Sequence, residues 1–126
     1  MPLFTHIVIG TNNPEAAARF YDAALGALGI PAQGRGNHRF YSKDGDTFVV
    51  GPPANGESAT SANGGTISFS AETKDQVDLF HASGLACGGT CEGPPGCRPS
   101  APNNAYGAYL RDPDGNKIAS FTFEPD

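Results

Sequence analysis

The stretch that decides the fold is AYGAYLRDPDGNKIASFTF, residues 105–123. Two apolar, aromatic-rich runs flank Asp112-Pro113-Asp114-Gly115, and an Asp-Gly step between such runs signals a hairpin. Successive strand residues point to opposite faces, so Lys117, Ala119 and Phe121 share one face and Ile118 and Ser120 the other. A bare alanine at the centre of the first face is the feature a functional reading has to explain.

Working outward, the same order of elements occurs twice. The chain opens with LFTHIVIG, which reads as a strand, and continues into TNNPEAAARFYDAALGALGI. Asn13 suits a helix cap, Pro14 the first helical position and Glu15 the first turn, where a carboxylate favours the dipole. Ala17, Phe20, Tyr21, Ala24, Leu25 and Leu28 recur at helical spacing, and Gly29 is a stop. A short strand near Pro31–Gly34 and a hairpin, HRFYS and DTFVVG around Asp44-Gly45, complete the half. The second half has GGTISFSA as a strand, ETKDQVDLFHASGL as a helix capped by Thr73, a strand near Leu85–Cys91, and the closing hairpin. A shift of sixty residues carries Ala17, Phe20, Tyr21, Ala24 and Leu25 onto Val77, Phe80, His81, Gly84 and Leu85, and Gly29 onto Gly89. The reading is α+β: one domain, 1–126, of two βαβββ modules, 1–55 and 60–126.

Each helix covers one face of its sheet, and the curved sheets then enclose a pocket with their other faces. Ile7 and Ile9 point with the first helix, which leaves Phe4, His6 and Val8 on the concave side. Ile67 and Phe69 do the same in the second module, which leaves Thr66 and Ser68 concave, together with Ala119 and Phe121.

The bulk composition narrows the partners. The chain is 38% hydrophobic with 8 Phe and 4 Tyr, enough for a core, and its net charge is −5. With no basic patch carrying interleaved aromatics, nucleic acid is not expected as a partner. The opening MPLFTHIVIG lacks the basic region of a signal peptide, and no run is long enough to span a membrane, so a cytoplasmic protein is expected. Three cysteines, Cys87, Cys91 and Cys97, form neither a disulfide framework nor the CxxC pairs of a structural zinc site, and read as ordinary thiols.

The segments THIVIGTNNPEAAARFYDAALGALGI, GGTISFSAETKDQVDLFHASGL and AYGAYLRDPDGNKIASF, in that order, resemble the vicinal-oxygen-chelate superfamily, also called the glyoxalase/bleomycin-resistance family. The resemblance implies a glyoxalase-like fold and a divalent metal held on the concave surface by residues of the first, fifth and eighth strands. His6 stands at the first ligand position. Thr66 stands at the second, and Ala119 where the glutamate after the Asp-Pro-Asp-Gly turn would be. Catalytic zinc sites keep about three protein ligands. One histidine with a neutral hydroxyl and a methyl group falls short of that, so no cofactor is expected and His6 is the lone metal candidate. Many small proteins of this family are homodimers, and the resemblance suggests the same here.

The remaining candidates are weighed against structural roles. His81 shares the helix face of Tyr21 and reads as packed. One of His38 and Arg39 faces inward, and an inward Arg39 offers a fork for a carboxylate or phosphate. The Gly- and Pro-rich stretch EGPPGCRPSAPNNAY, residues 92–106, reads as a loop covering the last hairpin, from which Arg98 and Tyr106 reach over a bound ligand or simply lie on the surface. The Asp44-Gly45 and Asp112–Gly115 carboxylates satisfy their own turns.

The expectation is therefore a small-molecule binding protein, its pocket lined by Phe4, His6, Val8, Arg39, Thr66, Ser68, Arg98, Tyr106, Ala119 and Phe121, taking an organic ligand with an apolar body and a polar group. The alternative is a glyoxalase-like lyase or isomerase whose metal is held by ligands outside the motif, such as Asp46, Glu57 or a residue of a second chain. A remnant domain kept for protein interaction is a third reading.

Overall fold

In the computed structural model, residues 2–125 are described. The chain runs β1 (Ile7–Gly10), α1 (Pro14–Gly26), β2 (Ala32–Arg35), β3 (His38–Lys43), β4 (Asp46–Gly51), β5 (Ile67–Ser70), α2 (Lys74–Ala86), β6 (Thr90–Cys97), β7 (Tyr106–Arg111) and β8 (Lys117–Thr122). This is the α+β pair of βαβββ modules that the sequence implies. Each module has a four-stranded mixed sheet, ordered β1-β4-β3-β2 and β5-β8-β7-β6, in which the first strand runs parallel to the last.

Local chemistry sets the element ends. Asn13 Oδ1 accepts from the Ala16 amide at 3.1 Å, with Pro14 in the first turn of α1. Thr73 Oγ1 caps α2 through the Gln76 amide, also at 3.1 Å. Asp44 and Gly45 both take positive φ, 54° and 90°, the twist a tight hairpin needs.

Three expectations shift. The strand placed near Leu85–Cys91 lies instead at Thr90–Cys97, because α2 continues to Ala86 and the Gly- and Pro-rich stretch itself pairs with β7. Of two register shifts there, the one between Gly93 and Gly96 takes up Pro94 and Pro95, and prolines are tolerated because β6 is an edge strand. Past α2 the positive φ falls on Gly88, 102°, not Gly89, where a Cβ would meet the Phe20 ring at 2.4 Å. Leu85 is exposed, unlike its counterpart Leu25, so the repeat of the helical face stops at Gly84.

One core spans both modules. Phe20, Tyr21 and Leu25 of α1, with Leu28 just past its end, join Phe48, Phe80, Leu110 and Ile118, and Phe48 meets Phe69 edge-on at 5.1 Å between ring centres. The Asp112–Gly115 turn fastens the modules together. Asp112 Oδ1 accepts from its own turn, from the Asp114 and Asn116 amides, as an Asx turn should. Asp112 Oδ2 accepts the Tyr21 hydroxyl at 2.6 Å, and Asp114 accepts from Thr11 Oγ1 and the Asn12 amide. The inner faces of both sheets and both helices thus enclose the core, and the outer faces carry Val8, Ala119 and Phe121 among the candidate residues.

Candidate functional site

Register assigns each side chain to a face. Val8 pairs with Val49, and Val49 with Phe40, so these three share the open face of the first sheet. His6, Phe40, Thr47, Val49 and Arg35 line a hollow of about 420 Å³ there. The Arg35 guanidinium lies 5.6 Å from the centre of the Phe40 ring. His6 Nδ1 lies 3.0 Å from the Thr5 hydroxyl and is exposed, and Val8 is 56% exposed.

On the second sheet Ser68 pairs with Ala119 and Ala119 with Tyr109, which puts Tyr109 at the centre of that open face. The Tyr109 ring meets Phe121 edge-on at 5.5 Å. Lys117 and Arg98 stand 4.8 and 5.5 Å from the same ring centre. Arg98 is fixed by the Pro94 and Gly96 carbonyls at 2.7 and 2.9 Å. Phe121 lies over Gly107, where a Cβ would meet the ring at 2.4 Å, so the face is flat because β7 is a glycine there. Ala119 is fully buried. Tyr109 and Lys117 were not among the expected ligand contacts. Counting back across the Asp-Gly turn from Ala119 would have found Tyr109.

Another hollow, about 460 Å³, opens at the seam between the modules. Ile7, Tyr41, Phe48, Ile67 and Phe69 form its apolar wall, and Lys43, Asp46 and Glu72 its rim. Phe4 and Ser68 border this hollow and not the one that holds His6. Strand pairing begins only at Ile7, so Phe4 is not bound by the alternation that placed it beside His6. Thr66 likewise precedes β5 and is exposed.

Arg39 and Tyr106 turn toward the helices and away from the open faces. Arg39 Nε and Nη2 bond both oxygens of Asp22 in α1, at 3.1 and 2.6 Å, and the Tyr41 hydroxyl adds a third bond to Asp22 at 2.7 Å. Burial works against ionisation of Asp22, but the bonds from Arg39 and Tyr41 outweigh it and hold the carboxyl below its usual range. Arg39 therefore offers no free fork. Tyr106 donates to Asp78 Oδ1 of α2 at 2.6 Å, and this bond, with some burial, pushes its hydroxyl up to about 12. His38, the other side chain of that strand pair, lies over Gly51 on the open side.

These donors do not fit the divalent metal implied by the fold. Among the described residues no three His, Cys, Asp or Glu side chains converge in a way that could hold an ion. His6 precedes β1 of the first sheet while Ala119 lies in β8 of the second, and Glu57 is held by Asn55 in an exposed loop.

The family model "Glyoxalase/Bleomycin resistance protein/Dioxygenase superfamily" matches residues 3–119. The chain belongs to this superfamily. A crystal structure of a glyoxalase/bleomycin resistance protein from Albidiferax ferrireducens T118 is 45% identical over 98% of this chain and 100% of that one, with a TM-score of 0.89. A glyoxalase-related enzyme from Fulvimarina pelagi matches at 21% identity, 97% and 88% coverage and a TM-score of 0.76. Lactoylglutathione lyase from Agrobacterium tumefaciens matches at 21%, 97% and 94%, and 0.64. The last two show the shared fold alone. No curated protein matches the chain. No helix among the described residues is long and apolar enough to cross a membrane.

Proposed function

We propose that this superfamily member is a small-molecule binding protein that works without the complete metal site of the fold. The carrying observation is Ala119: a fully buried methyl group fills the position where the fold would place an anionic ligand, and Tyr109 packs directly across from it. The open faces offer apolar and aromatic surface, Val8, Phe40, Val49, Tyr109 and Phe121, beside Arg35, Arg98 and Lys117. This suits an organic ligand with an apolar body and a polar, preferably anionic, group. Val8, exposed on the open face, and Phe4, exposed at the seam, also favour a second copy of the chain packing there, in a cytoplasmic homodimer.

The test is calorimetric titration with Zn²⁺, Ni²⁺ and Mn²⁺ beside a thermal-shift screen of organic acids. The expected result is no stoichiometric, stabilising metal, with organic hits that Val8→Glu weakens about tenfold or more by placing a charge on the apolar face. A tight metal site abolished by His6→Ala would overturn the proposal and favour a metal-dependent lyase or isomerase.

A further inference from the structure

Away from the open faces, His81 Nε2 lies 3.2 Å from Cys91 Sγ. The two side chains come from different elements. His81 projects from α2 toward β6 and is 8% exposed, so its ring is held by packing. Cys91 pairs with Leu110, whose side chain enters the core, so its sulfur lies on the helix side of the sheet. It is nevertheless exposed, because β6 is the edge strand and its register shifts immediately after Cys91. An accessible thiol thus faces a fixed imidazole. Among the described residues neither Cys87 nor Cys97, which is also exposed, has an imidazole against its sulfur; His6 and His38 bond Thr5 and Asn37.

We propose that Cys91 and His81 form a nucleophilic thiol site that takes small disulfides. As a disulfide approaches along the β6 edge, the thiol proton moves to Nε2 of His81 and the sulfur electron pair attacks one disulfide sulfur. A new S–S bond forms to Cys91 as the old one breaks. The departing thiolate takes the proton from His81. Cys91 ends as a mixed disulfide, and the other half of the small disulfide ends as a thiol. Burial lowers the proton affinity of His81, partly opposed by Asp78 one turn earlier, which keeps Nε2 neutral and able to accept at neutral pH. The step uses the tautomer with the N–H on Nδ1, in which Nε2 accepts from the thiol across this contact.

Competition inside one molecule tests this. The native protein is treated with substoichiometric dithiodipyridine at neutral pH, quenched at short times, and the modified cysteine is located by peptide mass spectrometry. Cys91 should react about tenfold or more faster than Cys97, as base assistance to a thiol predicts. In His81→Gln the Cys91 rate should fall toward that of Cys97, while Cys97 and Cys87 keep their native rates, which also reports that the variant is folded. Equal rates at Cys91 and Cys97 in the native protein would overturn the site. A fast Cys91 unaffected by His81→Gln, with Cys87 and Cys97 unchanged, would overturn the role of the imidazole. If His81→Gln unfolds, the native comparison alone decides whether the site exists.

Discussion

Ser120 sits in β8 between two residues of plain purpose, Ala119 and Phe121, yet its own buried hydroxyl has no hydrogen-bond partner. A buried polar group left unpaired costs about 1–3 kcal/mol of desolvation. Ser120→Ala should therefore raise stability, by about 1 kcal/mol, read as a higher urea midpoint at unchanged slope. A lower midpoint would mean that the hydroxyl has a partner in solution. At this scale the sequence was legible where alternation governs: Val8, Ala119 and Phe121 lie on the faces their parity assigns. It was illegible where a long side chain chooses between two sides of an edge or a strand end. Arg39 goes to Asp22, seventeen residues away, and nothing in HRFYS announces that partner. Asp22→Asn tests the pair. Because the folded carboxyl is held below its unfolded value, its stabilisation is present above the unfolded pKa, about 3.9, and is lost as pH falls through the folded value. The variant should thus be less stable than the native protein at pH 7, also because the buried Tyr41 hydroxyl faces a poorer acceptor. The difference in melting temperature should shrink below about pH 4. A difference that persists into strong acid would assign the effect to packing.

At the scale of elements, the helices were legible from both ends because their caps are local chemistry. Asn13 and Thr73 each bond an amide three residues on, and the stretches they start carry the apolar spacing that covers a sheet. The β6 strand was illegible for the opposite reason. Its sequence, TCEGPPGC, has two prolines and two glycines and no alternation of apolar and polar residues. What makes it a strand is β7, whose amides and carbonyls it meets in three short registers separated by shifts. Such a strand is defined by its neighbour more than by its own propensity. The same irregularity is what brings Arg98 over Tyr109 and leaves the Cys91 sulfur against α2. Two candidate residues of the second module, Cys91 and Arg98, thus lie in or just past the element that the sequence describes least well.

For the molecule as a whole, the question is what makes two similar modules one cooperative unit. The resemblance of the closing hairpin to a known motif drew attention to a ligand position, but the structural use of its turn is different. Asp112 and Asp114 reach across to Tyr21, Thr11 and Asn12 of the first module, and Asn116 Nδ2 approaches the Gly10 carbonyl at 3.4 Å. Tyr21 is fully buried, and burial together with the neighbouring Asp112 charge holds its hydroxyl protonated far above the ordinary range, so it is a permanent donor. Tyr21→Phe keeps the ring contacts to Phe20 and Phe48 and removes only that donor. Hydrogen bonds to charged groups contribute about 1.5–3 kcal/mol, so a loss of that size is expected in urea unfolding. Because the bond joins the modules, the loss should appear equally in amide exchange of β4 in the first module and β8 in the second, within a single transition. A loss confined to the first module, or unfolding that splits into two steps in the native protein, would show that the modules fold separately and that the shared core, not the turn, is what joins them.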